Sequence, residues 1–106
     1  MARNVIHIEK WARQHPATEA ELKQIMVSEG LEPLTWSAEA GDVFAEHVHS
    51  YHKTIFVVSG SITFGFPIDG EPTVLNVGDR LDLPAGVRHN AVVGPDGVTC
   101  LEAQQS

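Results

Sequence analysis

The sequence predicts an all-β domain, a sandwich or barrel of short strands with one helix near its N-terminus. Three observations point there. β-rich segments recur over 43–50, 54–59, 62–66, 73–77, 80–84, 89–93 and 98–103. Turn-forming pairs separate most of them, at Gly41-Asp42, Ser59-Gly60, Asp69-Gly70, Gly78-Asp79, Ala85-Gly86 and Pro95-Asp96-Gly97. Only one stretch carries helical periodicity. Many short strands with regular turns are the signature of a sandwich or barrel.

Val5, Ile6 and Ile8 give a weak strand signal at the N-terminus, and Trp11 is read as cover for the core. Thr18 and Glu21 then form a capping-box pattern, in which hydroxyl and carboxylate satisfy orphan backbone N–H groups. Leu22, Ile25 and Met26 fall on one helical face and Gly30 supplies a stop, so this helix is expected to cover one end or side of a sheet. Leu34, Trp36 and Ala38 alternate with polar residues as in a half-buried strand. From there the short strands follow one another. No internal repeat, linker or low-complexity stretch interrupts them, and residues 1–106 are read as one domain.

Composition narrows the functional classes. A length of 106 residues suits one modest core. Fourteen acidic residues against seven basic ones give a net charge of −7, which repels phosphate backbones and anionic membranes, so no nucleic-acid partner is expected. No apolar run approaches the roughly 20 residues of a membrane-spanning helix. The opening Met-Ala-Arg-Asn-Val-Ile-His has too little apolar content for a secretory signal, and a cytoplasmic location is the default expectation. Cys100 is the single cysteine, which excludes an internal disulfide and any cysteine-rich zinc framework.

Six histidines are many for this length, and His47, His49 and His52 lie within six residues. Side chains two apart on a strand share a face, so His47 and His49 are expected to point the same way and to offer two nitrogens to one ion. A third ligand has to come from another strand. His89, just past Pro84-Ala85-Gly86, is the candidate. Taken alone, an H-x-H pair is more often two polar residues on a surface strand.

Spacing strengthens the pattern. Gly41, five residues, His47-x-His49, three residues, Lys53, six residues and Gly60 resemble the first sequence motif of the cupins. Gly78, five residues, Pro84-x-Gly86, two residues, His89, three residues and Val93 resemble the second. The blocks, 41–60 and 78–93, cover 36 residues with 17 between them, a short gap usual for that family. The sequence is thus similar to a small single-domain cupin. The resemblance implies a double-stranded β-helix, or jelly-roll barrel, of two packed antiparallel sheets with the site in its mouth. It implies that His47, His49 and His89 hold a divalent ion such as Fe, Mn, Ni, Cu or Zn, and three imidazole donors favour a transition metal (Zn, Ni, Cu or Fe) over Mg or Ca. It also implies a homodimer paired through sheet edges, for which exposed edge strands give a physical reason.

Two positions depart from the family pattern. Lys53 stands where metal-binding cupins carry a glutamate ligand, and Val93 where the second motif ends in Asn. An ammonium about 5 Å from a divalent ion is opposed by roughly 6–7 kcal/mol at an effective dielectric of 20. Lys53 therefore has two readings. In one it is a catalytic base, Schiff-base nucleophile or anchor for an anionic substrate. In the other it snorkels to the mouth and pairs with an acid. Glu46, on the opposite parity, is not an obvious partner.

Inward parity also nominates Tyr51, Ile55 and Val57, with Phe64 and Phe66, as lining of a partly apolar cavity for a small molecule. His52 is expected to face outward unless a bulge intervenes, and His7 and His15 to be surface residues. Cys100 is read as an inert core thiol, and Arg80 and Asp82 as the solvated side of a strand. Three functional classes remain open: a metal-dependent enzyme of oxygenase or isomerase type, a non-catalytic binding or sensing module, and a structural domain. The missing carboxylate at position 53 weakens the oxygenase reading, because such sites commonly use two histidines and a carboxylate.

Overall fold

Two long strands organise the computed structural model, which describes residues 5–105. The elements are β1 (His7–Glu9), α1 (Glu19–Ser28), β2 (Leu34–Ala38), β3 (Val43–His47), β4 (His52–Gly65), β5 (Thr73–Leu75), β6 (Arg80–Leu83) and β7 (His89–Gln105). The mainly β chain with one short helix agrees with the sequence reading. The ends of the expected 1–106 domain, and most of the stretch read for a secretory signal, lie outside the described residues.

β4 and β7 pair antiparallel along nearly their whole lengths, from His52 opposite Gln105 to Gly65 opposite Asn90. The first half of β4 carries β6 and then β1, and the second half carries β5. On its other side β7 carries β3 near its start and β2 near its end. The segments 54–59 and 62–66 are therefore one bent strand, as are 89–93 and 98–103. Register shifts between Val57 and Ser59 and between Gly60 and Ile62 mark the bend.

That bend solves a parity problem. Ile55 and Val57 face the main core from odd positions, whereas Ile62, Phe64 and Phe66 face it from even ones. Extra residues in the strand are the only way to change face without leaving the sheet. Gly60 and Gly97 meet at the crossing, both with positive φ (75° and 76°), and a Cβ on Gly60 would collide with the Gly97 carbonyl. The two halves of the sheet thus face each other across a core of Ile55, Val57, Ile62, Phe64, Leu75, Leu81 and their neighbours.

Among the described residues the expected closed barrel is not formed. Hydrogen bonding runs along β1-β6-β4-β7-β2 and ends there, with β3 and β5 attached only to β7 and β4. β2 and β3 pair with different halves of β7, so no ladder joins them, and the folded-over sheet stays open.

The helix lies on the outer face. Leu22 and Met26 are fully buried and pack with Phe56, Leu101 and Ala103, the alternate-parity residues of β4 and β7. Thr18 Oγ1 accepts from the Glu21 N–H at 3.2 Å, as the capping pattern predicts. The Glu21 carboxylate departs from it and binds Arg13 and His15 instead. Arg80 and Asp82 are not a merely solvated pair. Arg80 bridges from β6 to Glu29 at the helix end (2.6 and 2.7 Å) and to Asp82 (3.0 Å), while Thr54 donates to Asp82 (2.9 Å). These ion pairs hold the Arg80 guanidinium still further above its usual range. Buried Asp79 accepts from the Trp11 and Asn76 backbone N–H groups and from Lys10, tying the N-terminal segment to the β5–β6 turn.

Candidate metal centre

β3 ends where the centre begins. His47 is its last residue and sits directly opposite His89, the first residue of β7. Directly opposed residues bring their side chains together, and the ring centroids are 4.3 Å apart. A register shift between Phe44 and His47 turns the end of β3 toward the cavity. His49 lies beyond the strand, so strand parity is not what aims it. The Gly86 N–H donates to the His49 carbonyl at 2.8 Å, which anchors that loop to the turn preceding His89.

One nitrogen from each of the three rings lies within 4.8 Å of the others. The structure thus contains a three-histidine cluster able to coordinate a metal ion. The Nε2 atoms of His47 and His49 are 3.1 Å apart. Two imidazole nitrogens sharing one ion at about 2.0–2.1 Å sit roughly 2.9–3.4 Å apart at octahedral to tetrahedral angles. The widest pair on one ion is limited to roughly 4.2 Å, so the cluster, whose nitrogens lie within 4.8 Å of one another, needs at most a small inward shift to share an ion.

The second nitrogens also suit ligation. His47 Nδ1 donates to the Ala45 carbonyl (2.6 Å) and His89 Nδ1 to the Val87 carbonyl (2.9 Å). In the neutral rings this leaves Nε2 with its lone pair, as backbone partners do for metal-bound histidines. Burial pushes His49 down to about 4, helped by the nearby positive charges of Lys53, His47 and His89 and opposed by Glu102. Burial also lowers His89, against the pull of its bond to Val87. Imidazole nitrogens as donors fit a borderline transition ion better than Mg or Ca, which take oxygen.

Lys53 Nζ lies 3.2 Å from His49 Nε2 and 3.5 Å from Glu102 Oε1. Both side chains are nearly covered, at 13% and 12% exposure. Trp36 Nε1 donates to Glu102 Oε1 (3.0 Å) and Gln104 Nε2 to Oε2 (3.1 Å). Glu102 is the acidic partner that sequence reasoning missed. The signal was present: Val98, Cys100 and Glu102 share one parity, and the first two face the main core.

A cavity of about 210 Å³ opens beside the centre. Lys53, Glu102, His47 and His89 form its polar end, and Trp36, Phe44, Ile55, Ile62, Phe64 and Ala91 its walls. Of the residues nominated as lining, Ile55 and Phe64 are therefore on the wall. Val57 and Phe66 belong to the same buried core as Ile55 and Phe64 but do not reach the cavity. Tyr51 is also off the wall and stacks on His49, with ring centroids 4.8 Å apart. His52 is exposed and accepts the Ala85 N–H through Nδ1 (3.1 Å), bracing the 84–86 turn. His7 and His15 are exposed. Cys100 is wholly buried, and burial, with Glu102 nearby, pushes its thiol up to about 12.

A folded-over antiparallel sheet with three histidines at the mouth of an apolar cavity defines a class of small β proteins built around a metal-binding cluster. Residues 34–100, more than half the chain, match the Cupin domain family model, and the chain belongs to that family. Among solved structures it resembles an uncharacterized conserved protein with a double-stranded β-helix domain from Klebsiella pneumoniae (28% identity, TM-score 0.60, 69% of this chain and 64% of that one). It also resembles an RmlC-like cupin from Shewanella frigidimarina (27%, TM-score 0.61, 71% and 65%). The chain spans less than two thirds of the length of each. A DUF861 family protein from Thermotoga maritima shares the fold over 92% of this chain and 97% of its own (23%, TM-score 0.63). No curated protein matches the sequence significantly. No helix among the described residues is long and apolar enough to cross a membrane.

Proposed function

We propose that residues 1–106 form a single cupin domain that binds a divalent transition metal (Zn, Ni, Cu or Fe) through His47, His49 and His89. In this reading it acts on a small molecule held in the adjoining cavity, as a metal-dependent enzyme of oxygenase or isomerase type. The observation that carries the reading is the 3.1 Å approach of the His47 and His49 Nε2 atoms, with the Nδ1 atoms of His47 and His89 donating to backbone carbonyls. A bound ion would act there as a Lewis acid with coordination positions open to the cavity. Lys53 orients an anionic group of the small molecule. Metal analysis of untagged protein tests the centre: about one transition ion per chain is expected, lost in His89→Gln. No uptake with added Ni, Zn or Fe refutes it.

One observation favours a second reading, a non-catalytic binding or sensing module. Lys53 already engages both His49 and Glu102, which leaves it no free role as a base. Retention of a small molecule without turnover by the metal-loaded protein would select this alternative.

A homodimer and a cytoplasmic location complete the proposal. Val43, Val92, Thr63 and Val74 are successive cross-strand partners on the outward face of β3, β7, β4 and β5. The three valines are exposed, and this apolar row supports pairing with a second copy.

A further inference from the structure

Binding an ion at the three histidines creates a charge imbalance that the chain does not correct by itself. The imidazoles are neutral donors, and position 53 contributes a cation where an anionic ligand would offset the ion. Glu102 is already engaged, its two oxygens taking Trp36, Lys53 and Gln104. His49 Nε2 adds a conflict of its own. It faces the Lys53 ammonium at 3.2 Å and the His47 Nε2 at 3.1 Å. If its lone pair accepts from Lys53, it meets the lone pair of His47. An ion removes that conflict by taking both lone pairs, and Lys53 then loses an acceptor.

We infer that the centre takes up its ion together with a small oxyanion of apolar body, a carboxylate in the simplest case, reaching from the ion to the Lys53 ammonium. The inference deepens the proposed function and rests on its three-histidine site. Lys53, His47 and His89 all line the cavity, and the Lys53 ammonium lies 3.2 Å from His49 Nε2 of the cluster, so an anionic head beside the ion comes within reach of Lys53. Apart from Glu102 and the Trp36 N–H bonded to it, the rest of the lining (Phe44, Ile55, Ile62, Phe64 and Ala91) carries no side-chain group that would pair with a second charge. The anion supplies the negative charge that position 53 withholds, and Lys53 regains a partner. Metal and carboxylate therefore bind cooperatively, each tightening the other by the same factor.

Co²⁺ titration of the full chain without a tag, at fixed pH in a non-coordinating buffer, tests this through visible absorption of the bound ion. Benzoate is expected to tighten Co²⁺ about tenfold, an ordinary coupling between two ligands, with acetate weaker and benzyl alcohol without effect. In Lys53→Met, Co²⁺ binds more tightly without any anion and the benzoate effect falls to near unity. Lys53→Gln repeats the result in a polar side chain, and unchanged near-UV circular dichroism certifies the fold of both. A Co²⁺ affinity indifferent to benzoate in the parent protein overturns the inference, as does a benzoate effect of full size in both variants. Failure of Co²⁺ to bind under any condition is a different result and removes the three-histidine site itself.

Discussion

Replacing Gly60 by Ala puts a methyl group into the crossing of β4 and β7. Two costs add. The residue is held at φ 75°, a left-handed conformation worth about 1–2 kcal/mol against an L side chain. The new Cβ also meets the Gly97 carbonyl, a backbone atom with nowhere to rotate, and such overpacking costs about 1–3 kcal/mol more. The expected loss is about 2–5 kcal/mol, a large part of the roughly 5–15 kcal/mol that keeps a domain folded. Gly41→Ala is the matched control: φ is 79°, but nothing lies within 4 Å of its Cβ position, so only the conformational cost of about 1–2 kcal/mol applies. Urea unfolding of both variants, followed by the fluorescence of Trp11 and Trp36, measures the difference. Equal losses would mean that the strands do not cross as closely as the fold requires.

Two further outcomes follow from the buried titratable groups. His49 is held neutral down to about pH 4, whereas the same ring in the unfolded chain takes a proton near pH 6.5. The unfolded state then binds more protons between those values, so stability of the metal-free protein falls as pH drops from about 6.5 toward 4. The loss is about 1–2 kcal/mol once solvent screening of the half-buried ring is allowed for. His49→Gln should flatten the slope in part, since His89 shifts in the same direction; an unchanged slope in acid-dependent urea melts would refute the assignment. Cys100, buried with its thiol raised to about 12, should resist iodoacetamide at pH 8 in the folded protein and react promptly in urea. Labelling at the same rate in both states would contradict its burial.

The local signals read well because they depend on near neighbours. Thr18 and Gly30 bound the helix, and the histidines of the two motifs carry spacing that three-dimensional structure only had to bring together. The route differed from the expected one. Alternation along a strand predicts that His47 and His49 share a face, yet His49 lies past the end of β3, pinned by Gly86. Glu102 was overlooked because an acid in an apolar strand reveals its partner only when the opposing strand is known. Arg80 and Asp82 were misjudged for the same reason, since their partners Glu29 and Thr54 are distant in the chain.

By itself the amino-acid order determined the β-rich class and the single helix, through short-range periodicity and turn chemistry, and singled out the three histidines through the spacing of two cupin-like motifs. Tertiary structure alone decided that four apparent strands are two bent ones, that the sheet stays open, and that Lys53 lies between His49 and Glu102. Those outcomes depend on register and on the meeting of Gly60 with Gly97, and a one-dimensional pattern holds no information about which strand lies beside which.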